Sequence, residues 1–203
     1  MMANDDGAFN AVSGPPLELL AGWLAEAAAA GAGDPRCFTL ATASADGTPH
    51  ARTVLATGVD DTSVRFTTSR PSVKTADLAE NPRAAGVFHW PTLTRQVTLH
   101  GHAAELPPDE VRAAYARRSP QLRALAWVYE ELGGRAPAGP GEVRPVFARH
   151  LELDPQAPPP SWTTFALRPD RVEVWWMPDD AGPPSRVRFD RVGGGWTRRF
   201  VLP

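Results

Sequence analysis

Four residues between positions 69 and 74, namely Ser69, Arg70, Ser72 and Lys74, crowd hydroxyls and cations into one turn. The turn leads into a segment of helical character, where free backbone N–H groups and the helix dipole favour an anion. Arg52, in a strand-like run, adds a further cation. Downstream, Gln96 opens the polar side of an alternating segment, next to the bulky aromatics Phe88 and Trp90. An amide beside aromatics at a sheet edge is either idle surface or a seat for a planar ring. Taken singly, each of these groups is also an ordinary surface charge or helix cap. Together, a strand arginine, a turn Ser-x-Lys and an amide near aromatics point to a phosphorylated planar cofactor.

Other chemistries lack their residues. The chain has no G-x-S-x-G elbow, no P-loop and no G-x-G-x-x-G. His100 and His102 would share one strand face, as a metal site requires, but no third ligand stands nearby, and a solvated face accounts for them. No metal is expected. The carboxylates are scattered and suggest no acid–base pair.

A mainly β chain with flanking helices must position these groups. Strands are expected over 37–42, 50–57, 63–68, 84–90, 96–103, 171–177, 185–190 and 196–202. The segment 96–103 is the clearest, with Val97, Leu99, Gly101 and Ala103 on one face and Gln96, Thr98, His100 and His102 on the other. Ser44-Ala45-Asp46-Gly47 and Gly193-Gly194-Gly195 read as turns. Helices are expected over 17–30, over 73–80 with Ser72 as N-cap, from Pro108, and over 122–132. Short antiparallel strands with tight turns predict a barrel or sandwich rather than a parallel α/β sheet. Residues 1–14 read as a flexible tail and 15–203 as one domain, with a long Gly/Pro/Ala-rich surface loop over 133–160.

The 203 residues suit a single core, and 21 basic against 23 acidic side chains leave no basic field for nucleic acid and no polybasic membrane patch. No apolar run reaches spanning length, since residues 19–32 are interrupted by Glu26. The acidic start lacks a signal-peptide layout, so the chain reads as cytoplasmic. The single cysteine, Cys37, excludes an intrachain disulfide and reads as a small buried hydrophobe beside Phe38 and Leu40.

From about Pro16 to Pro203 the chain resembles the pyridoxamine 5'-phosphate oxidase family of FMN-dependent oxidases. The resemblance runs through PLELLAGWL, FTLATASADGTPHARTVLATGVD, VRFTTSRPSVKTADLAENPRAAGVFHWPTLTRQVTLHGHAAEL, VEVWW and SRVRFDRVGGGWTRRFVLP. It implies a split β-barrel of antiparallel, Greek-key type and a homodimer with FMN at the subunit interface. The family's strand arginine corresponds to Arg52, and the following Thr53, Val54 and Leu55 would lie along the flavin ring. Its Tyr/Phe-Thr pair becomes Thr67-Thr68, and its Ser-Arg-Lys phosphate clamp becomes Ser72-Val73-Lys74, without the arginine. Gln96 takes the strand glutamine, and Trp175 and Arg186 take the C-terminal pair, with one residue inserted between them. The family's Gln-Ser pair falls on Glu131-Leu132, a departure.

The family's substrate contacts have changed more. Its phosphate-gripping lysine, tyrosine, arginine and serine fall on Thr57, Ala114, Arg118 and Leu122, so only Arg118 survives as a substrate contact. Its Arg-x-His motif falls on Gly182-Pro183-Pro184, or, in a second alignment, on Arg186-Val187-Arg188. These departures imply an oxidase for a non-pyridoxal small molecule, an aromatic or amine of secondary-metabolite type, as for the relatives that oxidise dihydrophenazines. Dioxygen is the implied acceptor, with a nicotinamide or deazaflavin reductase as a variant. The alternatives are a genuine pyridoxine/pyridoxamine 5'-phosphate oxidase with a rebuilt site, and a non-catalytic flavin-binding module.

Overall fold

The computed structural model describes residues 12–133, 137–178 and 182–203. Alternating burial organises the first strands. β1 (Cys37–Ala43) sends Phe38, Leu40 and Thr42 inward. The turn at 44–47, with Gly47 at φ 86°, returns the chain antiparallel as β2 (Pro49–Val59), placing Leu40 opposite Arg52. β3 (Val64–Ser69) pairs with β2 through a register shift between Ala56 and Gly58. After α2 (Val73–Glu80), β4 (Arg83–Trp90) crosses back to β1, giving the spatial order β4-β1-β2-β3 of a Greek key.

β5 (Arg95–Glu105) and the long β6 (Trp162–Trp176) continue from β4. β6 also pairs with β3, which closes the first six strands into an antiparallel barrel. β7 (Ser185–Val192) and β8 (Gly195–Val201) extend the sheet past β6 as a hairpin. Its two turn residues, Gly193 and Gly194, both hold positive φ, as a tight hairpin requires.

Aromatic pairs fill the barrel: Phe38 stacks on Phe88 at 4.8 Å between centroids, and Phe66 on Phe165 at 5.7 Å. α1 (Pro16–Ala29) adds Leu17, Leu20, Trp23 and Ala27, a helical stripe facing this core. Three helices lie between β5 and β6, namely α3 (Pro108–Ala116), α4 (Pro120–Leu132) and α5 (Pro140–Leu153). α3 and α4 form a smaller core in which Tyr115 meets Trp162 edge-on at 5.1 Å. Buried Arg123 of α4 ties this unit to the end of α5, donating through Nε to Asp154 Oδ1 at 2.9 Å.

Four expectations need correction. The segment 133–160 is not one loop, because α5 occupies its middle, and residues 134–136 lie outside the described residues. Pro140 sits at the helix start, where its missing N–H costs nothing, and Val143, Val146 and Phe147 pack toward α4. The prolines hid an apolar stripe. β6 begins at Trp162 rather than at 171, since Trp162 to Leu167 are all buried and show no alternation to read. Cys37 is exposed, because β1 turns it away from Phe38 and Leu40. Of the expected tail, residues 1–11 lie outside the described residues, but Val12 packs in the main core and accepts from Arg198 Nη1 at 2.8 Å.

Among the described residues, no helix is long and apolar enough to cross a membrane.

Candidate functional site

A cleft of about 520 Å³ opens between β2, β3, the start of α2 and α4. Arg52, Thr53, Val54 and Leu55 form its β2 wall, Thr67 and Thr68 its β3 wall. Ser72 and Lys74 stand at one end and Arg118 stands with Leu122 on the helical side. The structure thus brings nine of the twelve expected site residues into one concavity. Its volume falls within the range of small-molecule sites.

The cationic end is built by α2. The Ser72 N–H donates to Thr75 Oγ1 at 3.0 Å, and Thr75 Oγ1 donates to the Ser72 carbonyl at 2.8 Å, which fixes the helix start. Lys74, in the first turn, donates to Thr68 Oγ1 at 2.9 Å and to Ser72 Oγ at 3.4 Å. Burial, and then the charge of nearby Arg52, push the Lys74 ammonium below its ordinary value. Among the described residues, no carboxylate pairs with Lys74. Two mutually repelling cations, two hydroxyls and a helix N-terminus make a donor set that fits a phosphate dianion. Val73, at the position of the middle arginine in the family's Ser-Arg-Lys clamp, is exposed.

Arg118 follows α3 and is placed by two anchors. Its N–H caps the helix by donating to Tyr115 O at 3.0 Å, and its carbonyl accepts from Arg123 Nη1 at 2.9 Å. The guanidinium donates to Thr67 Oγ1 at 2.8 Å and lies over the Trp162 ring at 5.3 Å. These partners are neutral, and burial works against the charge. Among the described residues, no carboxylate meets it. A partly buried guanidinium at a cleft wall without a counter-ion is suited to an anionic ligand group.

The other three expected residues lie elsewhere. Gln96 pairs with Trp175, and Trp175 with Arg186, so the three form one row across β5, β6 and β7 on the barrel's outer face. Arg186 is ion-paired with Glu173. The row does not line the cleft. Phe88 and Trp90 do not flank Gln96 as expected. Gln96 pairs with His89, and the pleat turns the aromatic neighbours of His89 into the core. His102, also outward, meets Arg83 Nη1 at 3.3 Å and Asp170 at 3.6 Å. Among the described residues, no metal-competent cluster of three ligands forms.

The altered substrate positions scatter. Leu122 lines the cleft, Ala114 packs in the smaller core, and Thr57 lines a separate groove beside α1. Gly182, Pro183 and Pro184 precede β7 and do not line the cleft. Glu131 turns to α5, where it pairs with Arg149 and with His150 at 3.0 Å, and Leu132 is buried. Sequence reading missed Trp162, Leu125 and Tyr129 as wall residues. Trp162 was illegible because the start of β6 was, whereas Leu125 and Tyr129 follow Leu122 at helical spacing and share its face.

A sequence model of the family described as pyridoxamine 5'-phosphate oxidase matches residues 24–176. A pyridoxine/pyridoxamine 5'-phosphate oxidase of Acinetobacter baumannii (strain SDF) is 33% identical over 202 residues, covering 95% of this chain and 89% of that protein. The enzyme of the same description from Chromobacterium violaceum is 39% identical over 189 residues, covering 89% and 85%. Among solved structures, PhzG from Burkholderia lata 383, in complex with tetrahydrophenazine-1-carboxylic acid, superposes with a TM-score of 0.86 at 26% identity, covering 100% of this chain and 98% of that one. The matched span holds the barrel, the cleft and the start of the outer row, and with them the chain belongs to the pyridoxamine 5'-phosphate oxidase family of FMN-dependent oxidoreductases.

Proposed function

We propose that this chain is an FMN-dependent oxidase that oxidises a small anionic substrate, pyridoxine or pyridoxamine 5'-phosphate, in the cleft. The observation that carries the reading is two sets of cations in one concavity: Arg52 with Lys74, close enough to repel, and Arg118 on the helical side. The first pair holds the cofactor phosphate with Ser72 and Thr68, and Thr53, Val54 and Leu55 line the ring. Arg118 receives the phosphate of the substrate, and Trp162 beneath it excludes water from the guanidinium face. FMN, held there by these residues, would supply the two-electron redox chemistry, with dioxygen as the terminal acceptor. The curated relatives support the choice of substrate.

The outer row gains a role in a homodimer. Gln96, Trp175 and Arg186 cannot serve the cleft of their own chain, but a two-fold pairing that sets the row of one protomer against the partner's cleft supplies a ring-contacting amide and a further cation. Sedimentation of the purified chain is expected to read a dimer at micromolar concentration. A monomer that binds FMN tightly overturns this pairing.

A second reading is favoured by the cleft's helical wall. Leu122, Leu125, Ala126 and Tyr129 present mostly apolar surface beside Arg118, and none replaces the lost phosphate donors. That suits a larger aromatic carboxylate, and the fold likeness to PhzG supports it. Oxygen uptake with pyridoxamine 5'-phosphate separates the two. Turnover at micromolar substrate establishes the first reading, and none with FMN-loaded protein sinks it in favour of the second. In either case Arg118→Ala is expected to raise KM by about tenfold or more, from a lost charge-assisted contact of about 1.5–3 kcal/mol, with FMN still bound. Loss of flavin from that variant would place Arg118 on the cofactor instead.

A further inference from the structure

Arg52, the strand arginine of the cleft, is gripped from behind. Its Nη1 donates to Leu40 O at 3.1 Å and to Thr42 Oγ1 at 2.9 Å. The Thr42 hydroxyl has one proton to give, and it donates to Asp77 Oδ2 at 2.5 Å. His50 Nδ1 lies 3.0 Å from the same oxygen, and Arg52 Nη2 lies 3.9 Å from it. Thr42 and Asp77 are 3% and 4% exposed and line no part of the cleft.

The polarity of this relay is set by charge. Burial pushes the Asp77 carboxyl up, but hydrogen bonds from Thr42 and His50 and the charge of Arg52 outweigh it and hold the group below its ordinary value. An ionised carboxylate only accepts, so the Thr42 proton must point to Asp77 and its lone pair to Arg52. Register explains how three elements meet here. Leu40 pairs with Arg52 and Thr42 with His50 across β1 and β2, and α2 carries Asp77 one turn after Lys74. One helix therefore presents a cation to the cleft and an anion to the anchor of the second cation. By charge alone, a buried carboxylate behind a dianion site opposes binding, so its presence calls for another role.

We propose that Asp77 and Thr42 are positioning residues that lock the Arg52 guanidinium with its remaining N–H groups toward the cofactor phosphate. The proposal rests on the reading of Arg52 and Lys74 as the phosphate site. The test measures FMN and riboflavin affinity of the purified full chain by flavin fluorescence, because the ratio of the two isolates the phosphate. Thr42→Val keeps the shape and removes the hydroxyl, and is expected to lower the FMN-to-riboflavin ratio about tenfold. Thr42→Ser restores it. Asp77→Asn also lowers it, whereas a carboxylate acting by charge alone would make Asn bind FMN more tightly. A parental ratio in Thr42→Val, an equal loss for both flavins, or a raised ratio in Asp77→Asn overturns the proposal. Lys74→Ala separates the two levels. An unchanged ratio there removes the phosphate reading and the proposal with it, while a lowered ratio there and a parental one in Thr42→Val sinks only the positioning role.

Discussion

Lys74→Ala is expected to weaken FMN binding by about 2 kcal/mol, roughly thirtyfold, while riboflavin binds as before. Lys74 is half-buried, faces Thr68 and Ser72, and is pushed down by burial and by Arg52. With exposed Val73 standing where the resemblance places the clamp's middle arginine, fewer cations would share the phosphate, and each would weigh more. The same lysine predicts a pH dependence. A bound dianion raises the ammonium pKa that the free protein holds down, so binding takes up a proton once the pH exceeds the free-protein value. FMN affinity should therefore be level from about pH 7, above the second phosphate ionisation near 6, and fall as pH rises through the lowered Lys74 pKa. Riboflavin affinity should stay flat over that range, and Lys74→Ala should remove the alkaline fall. Unchanged FMN affinity in the variant would mean that the phosphate lies elsewhere.

Gly101→Ala is expected to destabilise the barrel by about 3 kcal/mol, the upper end for overpacking, and to lower Tm by roughly 6–12 °C. A Cβ at Gly101 would stand 2.1 Å from Arg168 O and 2.6 Å from Pro169 Cα, both backbone atoms that no rotamer change can move. The close approach arises at the register shift between His100 and Gly101, where β6 carries Pro169 inside a strand. A proline donates no ladder bond, and the bulge accommodates it. Gly58, at the register shift of β2, is the control. Its added Cβ meets only Arg65 Cδ at 3.8 Å, so Gly58→Ala should move Tm by less than about 2 °C. A thermal melt of the two variants decides, and equal melting would show that β6 can shift to make room.

The two expectations act on different levels of the molecule. Lys74 is expected to affect what the cleft binds, whereas Gly101 sits at the junction of β5 and β6 that carries Gln96 and Trp175 outward.

Much of this organisation was legible before folding. The alternation in β5 separated a core face from a polar face, and Ser72 marked a helix start that concentrates donors beside Lys74. Such signals need only neighbours in the chain. Local patterning failed where a segment was buried on both faces, as at the start of β6, and where prolines masked a stripe, as in α5. It also misjudged Phe88 and Trp90, since nearness in sequence says nothing about which side of a pleat a ring takes.

By itself the sequence determined the family, most of the barrel strands and the helix starts at Pro16 and Ser72, because periodicity, capping and motif spacing are local. Tertiary structure alone decided that Arg118 meets Thr67 and Trp162 across 51 and 44 residues, and that Gln96, Trp175 and Arg186 stand in a row outside the cleft they were expected to serve. It alone set Asp77 behind Arg52 through Thr42. Those placements depend on how β3 closes onto β6 and how α2 packs against β1, and such long-range pairings leave no period in the chain to read.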